Sequence, residues 1–388
     1  MMPSAPPPAP ASPWGYPVAA PQPAPYAALQ RPAGYGYPPA TNYAPGYYPQ
    51  QPPKTGMSPA SRLLLFLVLV PLTLFLVILV VKILSTLGEV TPIPQPTTVT
   101  ATPTETTTTT PVNPGNYQND DYVVPDADLY PPDLPVPDSY EQAQSWMQSN
   151  LIYSSQVPAP VRCELNGVDP SNSSKAQLQT YLNEIVGCLM RVWAPDLQAA
   201  GFNASRPSVI VYSGSGQSAC GKLTRQNAFY CAGDQQIYWS MDLPTAFPDN
   251  QHDPFLPVQI LAHEFGHAIQ AQTGILISSH AWQQQYSDNG DDPSGLELSR
   301  RTEMQADCFA GEFLSSVQQS AGISSDEHQA MVQLMLQLGD DAVTGIPGYS
   351  DDHGLSTNRQ YWFKAGWASD AVSSCNTFAD DVTSNQVK

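Results

Sequence analysis

The sequence predicts a helix-and-strand domain of about 250 residues set behind one membrane-spanning segment. Three observations predict it. Of the 41 prolines, 18 crowd into residues 1–62; an uncharged apolar run fills 63–81; and all six cysteines, with six of the seven tryptophans, fall in residues 139–388. Charge divides the same way, because residues 1–62 hold three basic side chains (Arg31, Lys54, Arg62) and no acidic one. The rest of the chain therefore sets 12 basic against 34 acidic groups. So acidic a surface excludes a nucleic-acid partner, since neutralising phosphates requires a basic face.

Residues 1–62 carry runs such as Pro6-Pro7-Pro8 and repeated Gly-Tyr and Tyr-Pro steps, with almost no aliphatic side chains. Such a segment cannot bury enough apolar surface to offset its ordering entropy, and a disordered or polyproline-like tail is expected. The next segment, 63–82, reads as a transmembrane helix: its apolar core would reach about 28 Å, close to the thickness of a bilayer's hydrocarbon. Lys54 and Arg62 precede it, and after Lys82 no Lys or Arg occurs until Arg162. The positive-inside rule then places the tail in the cytoplasm and everything beyond Lys82 outside. Residues 83–138 are Thr- and Pro-rich, then acidic at Asp120, Asp121, Asp126, Asp128 and Asp133, and read as a linker holding the domain off the membrane.

Residues 139–388 read as folded. Residues 207–212, 227–231 and 236–240 have the composition of strands, whereas 253–273 and 296–317 have the apolar spacing of helices. An even number of cysteines in an exported domain predicts three disulfides. The pair best supported by spacing is Cys220–Cys231, closed by a turn at Gly221. The absence of any CxxC disfavours a structural zinc–thiolate site.

The chemistry lies in the two helices. His263-Glu264-Phe265-Gly266-His267 is an HExxH motif, and two His at i and i+4 sit about 40° apart around a helix, so both imidazoles can reach one metal ion. Glu264, about 100° from His263, can face the open coordination position as general base. Neutral imidazole favours zinc. In the second helix Glu303 and Asp307 are spaced i, i+4. We favour Glu303 as third ligand, because its longer side chain reaches between helices and leaves Asp307 to hydrogen-bond the outer nitrogen of a ligand histidine. Asp307 itself, Glu297 and Glu312 are the alternatives.

Several ordered motifs carry a resemblance. His263-Glu264-Phe265-Gly266-His267, Glu303-Met304-Gln305-Ala306-Asp307-Cys308-Phe309-Ala310-Gly311, His353-Gly354, Asn358-Arg359, Trp362-Phe363 and Cys375-Asn376-Thr377-Phe378 are similar to the bacterial putative neutral zinc metallopeptidase family over roughly 160–380. The Cys220-Gly221, Phe229-Tyr230-Cys231 and Ile237-Tyr238 segments resemble it too. The resemblance implies a catalytic zinc and a zincin-like α+β fold, with an HExxH active-site helix and a small mixed β-sheet. Asn227-Ala228-Phe229-Tyr230 resembles the edge strand on which thermolysin-type peptidases pair an extended substrate. The tail, membrane segment and linker look like the anchors of actinobacterial envelope proteins.

These readings predict a membrane-anchored, zinc-dependent endopeptidase acting on peptide or protein substrates outside the cytoplasmic membrane. His263, His267 and Glu303 would hold one Zn²⁺, Glu264 would be the general base, and His353, with Tyr238 behind it, would steady the oxyanion. Two other readings are open: a non-catalytic zinc-containing envelope protein that binds a partner, and a hydrolase of peptidoglycan peptides. Glu264 argues against the first, because a structural site fills its fourth position with protein and needs no adjacent carboxylate. The oligomeric state is not legible.

Overall fold

A computed structural model describes residues 116–388; the predicted tail (1–62), transmembrane segment (63–82) and linker as far as residue 115 lie outside the described residues. Among the described residues, no helix is long and apolar enough to cross a membrane. The first helix among the described residues is α1 (Tyr140–Gln148), whose first turn is capped by the Ser139 side chain accepting from the Gln142 amide. Next comes α2 (Lys175–Ala199), opened by a reciprocal cap between Ser174 and Gln177. Five short strands follow: β1 (Val209–Tyr212), β2 (Gly216–Ser218), β3 (Gly221–Leu223), β4 (Ala228–Cys231) and β5 (Gln236–Ser240). The remainder is helical, with α3 (Phe255–Gln272), α4 (Ile275–Asp288), α5 (Asp292–Ala321), α6 (Ser325–Leu334), α7 (Asp340–Thr344) and α8 (Ser356–Trp367).

This helix-rich α+β arrangement agrees with the expected class, and its sheet is small and mixed. Strand order is β1-β5-β4, with β1 parallel and β4 antiparallel to β5, while β2 and β3 form a separate hairpin. Alternation along β5 sends its side chains to two cores. Ile237 and Trp239 enter the main core with Trp193, Phe265 and Phe309; Tyr238 turns to a smaller cluster with Tyr212, Cys220, Leu223 and Cys231. The second predicted helix, 296–317, is longer at both ends. Its start is set by Asp291, whose carboxylate accepts from the Ser294 amide, and its stop by Gly322 in the left-handed region at φ 70°. Those signals lie beyond the apolar periodicity that delimited the prediction.

All six cysteines are paired, as Cys163–Cys188, Cys220–Cys231 and Cys308–Cys375. The Cys220–Cys231 assignment holds, although Gly221 starts β3 of a hairpin closed on β2 rather than turning the chain directly between the two cysteines. Residues 116–138, read from sequence as the end of the linker, lie along the domain. Asp120 binds Arg162, the Asp128 amide donates to the Arg206 carbonyl, and the Pro132 and Asp128 carbonyls accept from Gln235 and Gln236. The domain also holds this stretch through Tyr122, Val124 and Leu134, which pack partly buried against the main core but too irregularly spaced to read as a helix or strand.

The crossing of α5 and α8 places the two helix backbones in contact. A Cβ added at Gly366 would overlap the Cys308 carbonyl, and one at Gly311 would overlap that of Phe363. Gly366→Ala should therefore destabilise the protein. Alanine gains about 0.8–1 kcal/mol in helix propensity, but forcing two backbones apart costs about 1–3 kcal/mol or more. A lowered denaturant midpoint is expected, and an unchanged or raised one would mean that the crossing adjusts freely.

Candidate metal centre

Helix α3 carries the HExxH motif across the middle of α5 at a point where α3 has no side chain. Gly266 lies so close to α5 that a Cβ there would sit 2.9 Å from Ala306 Cα. This approach brings Glu303 and Asp307 within reach of the two histidines. His263 Nε2 and His267 Nε2 are 3.2 Å apart, and the Glu303 carboxylate lies 3.2 Å from the first and 3.4 Å from the second. All three side chains are nearly buried.

The outer ring nitrogens decide which way the lone pairs point. His263 Nδ1 lies 2.8 Å from Asp307 Oδ1, and His267 Nδ1 lies 2.8 Å from Gln270 Oε1. With these acceptors each ring, when neutral, carries its proton on Nδ1 and directs its Nε2 lone pair to one point. Gln270 is held in turn by donating to the Thr302 carbonyl and to Gln305 Oε1. Asp307 is clamped by Arg359, which donates from Nε to Oδ2 at 2.8 Å and from Nη2 to Oδ1 at 2.9 Å. Burial disfavours charge on His263, yet the Asp307 carboxylate, helped by Glu303, raises its pKa to about 9.

Glu264 is buried beside this group, and its Oε2 accepts a 2.8 Å hydrogen bond from the Tyr230 amide on β4. That amide faces away from β5, so β4 lies at the sheet edge with Tyr230, and by alternation Ala228, presenting backbone toward the site. Burial raises the Glu264 pKa above the ordinary carboxylate range, against the pull of the two histidines.

The donor set fits zinc on two counts. Ligands about 2.0–2.2 Å from a tetrahedral ion are ~3.3–3.6 Å from one another, close to the spacings of the three donors. Further, Glu264, Glu303 and Asp307 place three buried carboxylates against one guanidinium among the described residues, that of Arg359. A divalent cation balances that excess.

Every residue expected to bind the metal is thus brought to one place, with Asp307 behind His263. Of the alternatives, Glu297 pairs with Arg301, and Glu312 is buried with neither oxygen hydrogen-bonded among the described residues. Neither joins the group of possible ligands. His353 stands on the loop before α8, its Nδ1 2.7 Å from Asp352 Oδ1, and the Glu303 charge is felt at its ring. Tyr238 is not behind it. Its ring stacks on Phe229 and its hydroxyl donates to Asp234 Oδ2 at 2.6 Å, on the sheet face opposite the one packed against the main core. Sequence reasoning assigned no role to Gln270 or Arg359. Gln270 had a signal, because i+3 from His267 is the helical neighbour that can reach its outer nitrogen.

Residues 151–378 match the sequence profile of the family described as putative neutral zinc metallopeptidase, a span that includes every residue of this site. The uncharacterized protein YpfJ of Escherichia coli (strain K12) is 27% identical over 238 residues, covering 58% of this chain and 79% of that protein. The uncharacterized protein Rv2575 of Mycobacterium tuberculosis is 31% identical over 208 residues, 48% of this chain and 66% of that one. No solved structure matches.

Proposed function

The chain belongs to the putative neutral zinc metallopeptidase family, and from that premise we propose that it is a zinc-dependent endopeptidase acting outside the cytoplasmic membrane, with residues 63–82 as its single-pass anchor. The observation that carries this reading is the convergence of His263 Nε2, His267 Nε2 and the Glu303 carboxylate beside a buried Glu264. Zinc bound by the three would supply a Lewis acid that polarises a carbonyl and lowers the pKa of water toward ~7. Glu264 is the general base. Because Tyr230 holds Oε2, the other oxygen, Oε1, is placed to take a proton from water and return it to the leaving amine. Substrate would lie extended along β4, its backbone hydrogen-bonding to Ala228. His353 donates to the oxyanion.

Hydrolysis of casein by the purified chain, followed with and without a zinc chelator, tests the reading. Peptide products that vanish with chelator and return with added zinc are expected. If casein and purified cell wall both give no chelator-sensitive product, the domain is a binding protein. Release from cell wall alone would move the substrate to peptidoglycan peptides.

A further inference from the structure

The segment from Asp340 to Gly354 leaves and rejoins the domain at one point, and Asp340 closes it. The Asp340 amide donates to the Gly354 carbonyl at 2.9 Å, while Asp340 Oδ2 accepts from the Asp351 amide at 2.6 Å and the Gly354 amide at 2.7 Å. Its other oxygen, Oδ1, lies 3.5 Å from His353 Nδ1. One buried carboxylate therefore gathers both ends of the loop and the histidine it carries.

The base of this loop rests on α5, one turn and less from Glu303. Arg300 donates from Nη1 to the Asp351 carbonyl at 2.9 Å, and a Cβ on Gly354 would lie 2.5 Å from Met304 Cε. Gly354 has φ 81°, a conformation that glycine adopts without strain. On its other side, Arg359 donates to the carbonyl of Leu338, two residues before Asp340, while holding Asp307. The loop is therefore tied to the metal-site helix through Arg300 and Met304 and to the metal-site carboxylates through Arg359.

We propose that Asp340 is a positioning residue for the peptidase reaction, fixing the 340–354 loop so that His353 stands beside the metal centre with Nδ1 committed to carboxylates. The proposal rests on the peptidase reading and adds to it how the oxyanion donor is oriented. With Nδ1 so held, the imidazole rotates little, and the donor reaches the developing charge without reorganising. The charged groups against His353 are Asp340 from α7 and Asp352 from its own loop, while Glu303 of α5 acts on the ring through its charge and Arg300 of α5 on those aspartates through its own. Burial works against charge on the ring, but hydrogen bonds to Asp340 and Asp352 hold its pKa well above the usual histidine range.

Asp340→Asn separates the two roles of the carboxylate, because the amide carbonyl can still accept from the Asp351 and Gly354 amides while the charge facing His353 is lost. In the full chain, imidazole NMR signals, assigned by their loss in His353→Gln, would be titrated in wild type and in Asp340→Asn. The His353 titration should move to lower pH in the variant. With casein as probe, kcat should fall about tenfold or more with little change in KM, and the alkaline limb of the pH profile should move to lower pH. An unshifted His353 titration overturns the proposal, as does a second equivalent of zinc that Asp340→Asn removes, since Asp340, Asp352 and His353 would then be metal ligands. The peptidase reading fails separately, if wild type shows no chelator-sensitive hydrolysis; the NMR titration still decides the role of Asp340.

Discussion

Glu264→Gln is expected to lower hydrolysis by about 10²–10⁴-fold while zinc content stays at the wild-type level. The glutamine side chain has the same shape and can still accept from the Tyr230 amide through its carbonyl oxygen, so the link between α3 and β4 survives. It cannot take a proton at neutral pH. Folding should not suffer either, because the wild-type carboxylate is buried and its charge is costly there; replacing it by a neutral amide removes that cost. The measurement is turnover of casein set beside metal content from the same preparation. Full activity in the zinc-loaded variant would remove Glu264 from the reaction. Joint loss of zinc and activity would mean that Glu264 helps to hold the ion.

The parts of this site that were legible in the sequence are those set by a single helix. His263, Glu264 and His267 share one face of α3, and Glu303 and Asp307 one face of α5, because 3.6 residues per turn dictates it. What the sequence did not disclose depends on how elements cross. Arg359 meets Asp307 only because Gly311 and Gly366 let α8 lie backbone to backbone on α5, and nothing local in Asn358-Arg359 reports that crossing. Tyr238 was misplaced for a different reason. Its neighbours Ile237 and Trp239 were rightly seen as strand residues, but which face meets α3 is a tertiary choice, and a one-residue offset sends Tyr238 to the far side. The strands, which send Val209, Val211, Tyr230, Ile237 and Trp239 into the main core by alternation, were found to within two residues, and only the short β2–β3 hairpin was missed.

Arg359→Met should destabilise the domain by about 3–5 kcal/mol, because it strands the Asp307 carboxylate in the interior without its guanidinium partner. Asp307 is 1% exposed and receives two hydrogen bonds from Arg359; once they are gone, only His263 Nδ1 among the described residues still reaches its carboxylate, and water does not. Zinc affinity should fall as well, by about 10–100-fold, since an unclamped Asp307 no longer fixes the His263 ring with its Nε2 lone pair on the metal. Adding Asp307→Asn to Arg359→Met removes the stranded charge and should recover part of the lost stability but none of the lost affinity. That split follows from the geometry: the stability loss comes from one uncompensated charge, whereas the affinity loss comes from His263 losing its orienting acceptor. Glu303→Ala behaves differently, abolishing stoichiometric zinc at once because a ligand atom itself is gone. Denaturant midpoints of the metal-free proteins, read beside zinc competition against a chelator, separate the two effects. Strictly additive stability losses in the double variant would show that Arg359 acts through its contact with the Leu338 carbonyl and not through Asp307.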